Sequence, residues 1–248
     1  MKLTVLGCAG TFPGANSGCS SYLVEHDGYR VMVDCGNGAT GALQRHGGLL
    51  DLDAVVISHL HPDHCIDLLA YAYARFYRPA GPPDRLPVWG PADIRNRLLR
   101  AADSDDTGWL DRVYGWQVYG AGRFEVGPLQ LDARLMDHPI ECYGLRIDGG
   151  GKTLAYSADT GPCDALVETA TDVDLFLCEA SFTEEKQNPA GVHLTGRQAG
   201  LAASAADAKS LLLTHLVAWN DENVVLGEAK EAFAGDIALA RTDETYVL

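Results

Sequence analysis

Basic residues are scarce: 19 Lys plus Arg stand against 34 Asp plus Glu, a net charge of −15 over 248 residues. A surface that acidic repels phosphate backbones, which argues against broad electrostatic binding of extended nucleic acid or of an anionic membrane. Long apolar runs are absent as well. No stretch approaches the roughly 18 residues of a membrane-spanning helix, and the apolar residues before Cys8 are too few for a secretory signal. The seven cysteines (8, 19, 35, 65, 142, 163 and 178) are odd in number and never spaced Cys-x-x-Cys. That pattern points to reduced thiols in a cytoplasmic protein, not to a disulfide framework. No repeat, low-complexity tract or charge block marks a linker, so residues 1–248 read as one domain. At 47% hydrophobic and 21% charged, the chain has the means to bury a core, which excludes disorder.

What is present is an alternation of strand and helix signals. Leu3–Leu6 is a short apolar run, and Ser20–His26 and Tyr29–Asp34 flank Asp27-Gly28, a two-residue hairpin turn. A short helix is expected before Gly47-Gly48, then a strand buried on both faces at Ala54–Ser58. Helical spacing of Ile66, Leu69, Ala70, Tyr73 and Ala74 predicts a helix to about Arg78. Prolines 79, 82, 83 and 87 make a loop, followed by a strand and a helix over Ala92–Ala102. Strands return from Arg123 to Ser157, with a Gly149–Gly151 turn, and again at Asp172–Cys178 and Ser210–Thr214. Thr195 and Gln198 form a capping-box signal, and Asp221 is placed to cap a last helix. The fold class is α/β: two mixed sheets inside, helices on the outer faces.

The densest chemistry follows the Ala54–Ser58 run: His59-Leu60-His61-Pro62-Asp63-His64. In an extended segment His59 and His61 face the same way and can converge on one ion. The chain then turns at Pro62 and offers Asp63 and His64 to a second. Imidazole and carboxylate together suit Zn, Mn or Fe rather than Ca. His138, Asp159 and His215 each follow another expected strand, where site residues sit on a rigid scaffold. His26 and His46 read as ordinary surface residues.

Together with Leu6-Gly7-Cys8-Ala9-Gly10, Val33-Asp34-Cys35-Gly36, Cys178-Glu179-Ala180-Ser181 and His193-Leu194-Thr195, this order resembles the metallo-β-lactamase superfamily, within it the ribonuclease Z-like phosphodiesterases. The resemblance covers nearly the whole chain and implies an αββα sandwich with a two-metal site along one edge. By that resemblance His59, His61 and His138 hold one divalent ion, while Asp63, His64 and His215 hold the other. Asp159 bridges both. Zinc is the first choice, manganese or iron the others. Paired ions lower the pKa of a shared water and stabilise attacking and leaving oxygens at phosphorus. Asp34 reads either as a group orienting the His loop or as a plain buried turn residue. The matching His in this group faces the scissile phosphate, backed by a Glu, which assigns catalytic roles to His193 and Glu179 beside Asp63. A surface-loop histidine is the alternative for His193. Two residues depart from the usual pattern: Cys178 replaces a His, and Ser181 a Thr.

Ribonuclease Z carries a transfer-RNA-gripping arm between the segments matching His138 and Asp159. Here those residues are only 21 apart, filled by one expected hairpin. The resemblance therefore implies a small anionic phosphodiester, cyclic AMP or a related cyclic nucleotide first. Alternatives are transfer-RNA 3′ processing, a glyoxalase II-like thioester hydrolase, and a non-catalytic metal-binding module. Trp219 and Asn220 read either as pocket lining or as packing, and Phe76, Tyr77 and Arg78 as cleft residues. Such relatives are commonly homodimers, so a second copy of the chain is an expected partner.

Overall fold

Period-2 alternation along the strands separates two apolar faces, and each face finds a different partner. The computed structural model describes all residues, Met1–Leu248. One sheet contains β1 (Lys2–Ala9), β2 (Gly18–Cys19), β3 (Ser21–His26), β4 (Tyr29–Val33), β5 (Ala54–Val56), β6 (Leu86–Gly90) and β7 (Tyr114–Val118), with the last strand of the chain, β15 (Thr245–Val247), at its edge. The second contains β8 (Gly122–Val126), β9 (Leu129–Leu135), β10 (Tyr143–Gly149), β11 (Lys152–Tyr156), β12 (Leu175–Glu179), β13 (Ser210–Thr214) and β14 (Asp236–Leu239), hydrogen-bonded in the order β14-β13-β12-β11-β10-β9-β8.

In β4, Val31 and Val33 enter a core shared with Leu145, Leu175, Leu177 and Leu212 of the other sheet. Met32 between them points the opposite way, under helices that contribute Leu43, Leu68, Tyr71 and Leu98. The second sheet does the same: Phe176, Leu211 and Leu213 pack outward against Ala199, Ala203 and Val225. Helices α1 (Ala39–Leu43), α2 (Pro62–Cys65), α3 (Leu68–Phe76) and α4 (Ile94–Ala102) cover the first sheet; α5 (Asp164–Ala170), α6 (Gly196–Ala205) and α7 (Glu222–Ala232) cover the second. The architecture is the expected αββα sandwich. No helix is long and apolar enough to cross a membrane, and all seven cysteines are free thiols.

Local signals explain several joints. Asp27 and Gly28 both take positive φ, 49° and 80°, in the turn that joins β3 to β4. Thr195 accepts from the Gln198 amide while the Gln198 side chain accepts from the Thr195 amide, and Asp221 caps α7 by accepting from Asn223. One element departs from expectation. The helix drawn from the metal loop to Arg78 is broken into α2 and α3, because the Asp67 amide donates to Cys35 O (3.0 Å) and its carboxylate accepts from Thr40 N (2.6 Å). That tie fastens the helical segment to the end of β4.

The parallel runs β4-β5-β6-β7 and β11-β12-β13-β14 set their C-terminal ends side by side at one edge of the sandwich. Loops leaving such ends are where α/β sheets place ligands.

Candidate dinuclear metal centre

The His loop leaves β5 buried and is aimed from behind. His59 forms a bridge pair with Cys142, and His61 is the extended cap of α2, with Pro62 in its first turn. Proline fits there because the missing N–H has no helical partner anyway. Helical backbone then turns Asp63 and His64 inward, both buried. Gly36 lets this happen: a Cβ on it would stand 2.0 Å from Asp63 O. His215, at φ 54°, sits past β13 with Gly10 against it, where a Cβ would meet its carbonyl at 2.5 Å. Thr11 (φ 65°), Asp34 (φ 56°) and Ala158 (φ 51°) also take left-handed backbone around the site. Strain of this kind persists only where the surroundings hold it in place.

Two four-membered groups of ligand atoms result, each drawn together within 4.8 Å: His59, His61, His138 and Asp159, then Asp63, His64, Asp159 and His215; Glu179, His193 and His215 form a third, smaller one. In the first, His61 Nδ1 lies 3.2 Å from His59 Nε2 and 3.1 Å from His138 Nε2. In the second, His215 Nε2 lies 3.2 Å from both His64 Nε2 and Asp63 Oδ2. Asp159 is shared. Its Oδ2 faces His59 Nε2 at 3.6 Å, its Oδ1 faces His64 at 3.3 Å and His215 at 3.5 Å.

These residues fit divalent cations. Donors about 2.0–2.1 Å from a tetrahedral ion lie about 3.3 Å from one another, close to the spacings above. Asp159 Oδ1 is fully buried and accepts no hydrogen bond, a costly state that a cation would relieve. The outer ring nitrogens of His59, His64, His138 and His215 are already engaged, which fixes their inward ones as ligands. His59 Nδ1 meets Ser58 Oγ at 3.0 Å, His138 Nδ1 meets Val192 O at 3.0 Å, and His64 Nδ1 donates to Asp34 at 2.7 Å. Asp34 is thus an orienting group as well as a buried one, since it also accepts from Ser58 and Tyr156.

Burial pushes His59, His61 and His138 down, keeping these imidazoles neutral as ligands must be. Burial opposes charge on His64 too, but Asp159 and Asp34 outweigh it and hold it up. Burial would raise Asp63 and Asp159; the neighbouring imidazoles win and keep both carboxyls below their usual range.

His193 stands beside both groups, its ring 5.1 Å from that of His215 and 5.8 Å from that of His138. Its Nδ1 is 2.9 Å from the buried Glu179 Oε1. Burial lowers the imidazole pKa, but the Glu179 charge outweighs it and pushes the value up to about 9. Other expected site residues lie differently. Trp219 is 70% exposed and packs on Phe12, so it is not a core aromatic. Asn220 donates to Ser181 O at 2.7 Å and accepts from Lys186, which makes it a brace for the Ser181 loop. Phe76 packs on Trp109 under Arg112, and Tyr77 stacks on Tyr73, so these rings turn toward the 109–112 segment and not the His groups. Sequence reasoning missed Ser58 and Tyr156 behind the ligands, and the Thr11 amide that donates to Asp63 at 2.9 Å. Only Ser58, next to His59, carried a positional signal.

Known proteins share this plan. A sequence profile of the beta-lactamase superfamily domain matches residues 29–216. The uncharacterized protein Rv1339 of Mycobacterium tuberculosis is 40% identical over 253 residues, covering 99% of this chain and 92% of that one. The probable metallo-hydrolase YhfI of Bacillus subtilis is 31% identical over 250 residues, 98% of each chain. Its crystal structure superposes with a TM-score of 0.88, covering 99% of this chain and 98% of that one. A ribonuclease Z of Haloferax volcanii is 26% identical over 295 aligned positions, 97% of this chain and 92% of that one. The chain belongs to the metallo-β-lactamase superfamily, on its ribonuclease Z-like branch.

Proposed function

We propose that this protein is a two-metal hydrolase of a small phosphodiester, with cyclic AMP or a related cyclic nucleotide as the first substrate to test. The observation that carries the reading is Asp159, one carboxylate oxygen turned to each imidazole group, with the His193–Glu179 pair alongside. His59, His61, His138 and Asp159 would hold one ion; Asp63, His64, His215 and Asp159 the other, with zinc the first choice and manganese or iron the others. Bound there, divalent ions supply Lewis acidity and an activated water. Asp34, through His64 and Ser58, holds the ligand rings in place. His193, cationic at neutral pH and backed by Glu179, can pair with phosphoryl charge through Nε2 or donate a proton to the leaving oxygen.

Size and charge support a small substrate. Between His138 and Asp159 the chain forms only the end of one turn and the β10–β11 hairpin. The ribonuclease Z alignment spans 295 positions against the 248 residues here, so at least 47 of that relative's residues have no counterpart. The net charge of −15 disfavours a polyanion. Transfer-RNA 3′ processing is the second reading, favoured by that same relative's identity across 97% of this chain. Assay of the metal-loaded protein on cyclic AMP, other cyclic phosphates, bis(p-nitrophenyl) phosphate, precursor transfer RNA and a thioester tests these readings. Turnover of cyclic AMP is expected; cleavage of precursor transfer RNA or thioester alone overturns the proposal. The seven free thiols support the cytoplasm as its compartment, and a second copy of the chain is the partner to test for.

A further inference from the structure

Glu179 ends β12 fully buried, and its two oxygens serve different neighbours. Oε1 accepts from Thr160 N at 2.8 Å and faces His193 Nδ1 at 2.9 Å. Oε2 accepts from Ser181 Oγ at 2.9 Å. That same hydroxyl lies 2.6 Å from His215 Nδ1. A histidine offering Nε2 as a ligand carries its proton on Nδ1, so His215 donates to Ser181. The serine proton then has two acceptors, Glu179 Oε2 and His215 O, the second at 3.0 Å. Asn220 holds the Ser181 carbonyl from the other side at 2.7 Å. The first metal group is laid out the same way: Ser58 donates to Asp34 at 2.8 Å and meets His59 Nδ1 at 3.0 Å.

We propose that Ser181 is a positioning residue that links Glu179 to the second metal group, so that one buried carboxylate aims both the ligand His215 and the acid His193. The inference rests on the two-metal reading of the site. Without the hydroxyl, His215 Nδ1 and Glu179 Oε2 lose their common partner in a site closed to water. Both are then free to shift, His215 away from Asp63 and Glu179 away from His193. Threonine keeps the hydroxyl; alanine and cysteine do not keep a strong donor and acceptor.

The test is a metal titration of the full chain against a chelating dye, without substrate, for wild type, Ser181→Ala, Ser181→Cys and Ser181→Thr. Thermal melts of the metal-free proteins accompany it. In the alanine variant the ion of the His215 group is expected to lose about 10-fold or more in affinity, as for other residues behind a ligand. The other ion keeps its affinity. Cysteine should follow alanine if the smaller residue fails to fold, and threonine should restore the wild-type titration. On a phosphodiester substrate, kcat should fall in the alanine variant with KM within 2-fold. Wild-type titration by the alanine and cysteine variants overturns the proposal. So does a threonine variant as weak as alanine, which would leave Ser181 a packing residue. A wild type that binds two ions yet hydrolyses no phosphodiester overturns the functional reading alone, because the titration still decides the role of Ser181.

Discussion

Asp63 and His193 lie in the same cleft but do different work, and substitution separates them. Asp63 faces His215 and His64 within the second group. Asp63→Ala is expected to abolish hydrolysis and lose one ion, read by metal analysis of the dialysed protein. His193 contacts no ligand through a hydrogen bond, so His193→Ala should keep both ions while turnover falls about 10²–10⁴-fold, the usual worth of a positioned acid. Equal metal loss in both variants would move His193 among the ligands. The pH dependence follows the same logic. Glu179 pushes the His193 pKa up to about 9; the cation is the working form, so it is complete below that value and vanishes above it. Activity should therefore fall as pH rises through about 9, and His193→Ala should lack that alkaline limb. The ligand cluster was legible in the sequence because three of its imidazoles and Asp63 fall within the six residues His59–His64. Ser58 had only its place beside His59 to mark it, and Tyr156 had no signal, because its hydroxyl meets Asp34 only across the closed sandwich.

Elements whose cause is local were readable, and those caused by their neighbours were not. The Asp27-Gly28 hairpin and the Thr195–Gln198 cap are both written in adjacent residues. By contrast β15 is three residues long and pairs with β1 from the far end of the chain, too short for periodicity of its own. The break between α2 and α3 is of the second kind, imposed by Cys35 and Thr40 on Asp67. Packing of β4 against α2 yields a prediction at this scale. Gly36→Ala would set a methyl 2.0 Å from Asp63 O and 2.7 Å from Cys19 Cβ. Backbone has to move, so overpacking should cost about 1–3 kcal/mol and displace Asp63. The melting temperature should fall, and one ion should be lost even though no ligand was changed. A variant with normal melting and normal metal content would show that α2 has room to shift.

At the scale of the molecule, the acidic excess and the site pull in opposite directions, and cations reconcile them. The chain carries −15, yet its sheet edge crowds five imidazoles whose inward nitrogens stand 3.1–3.2 Å apart within each group. Three loops from both sheets supply them and a fourth supplies Asp159, so ions bound there would tie the two layers together as well as serve chemistry. Any species that binds only the folded state stabilises it by mass action, about 2.7 kcal/mol at a hundredfold excess over its dissociation constant. For a chain of this length about 1 kcal/mol moves the melting temperature by roughly 2–4 °C. Stripping the protein with a chelator should thus lower its melting temperature by about 5–11 °C per such ion, and zinc or manganese should restore it. Calcium should not, because imidazole-rich groups select against it. The shift should survive high salt, since ligands this buried are screened far less than surface charges. A melting temperature indifferent to chelator and to zinc would mean that the imidazoles are held by their outer hydrogen bonds alone, and the two-metal reading would fall with it.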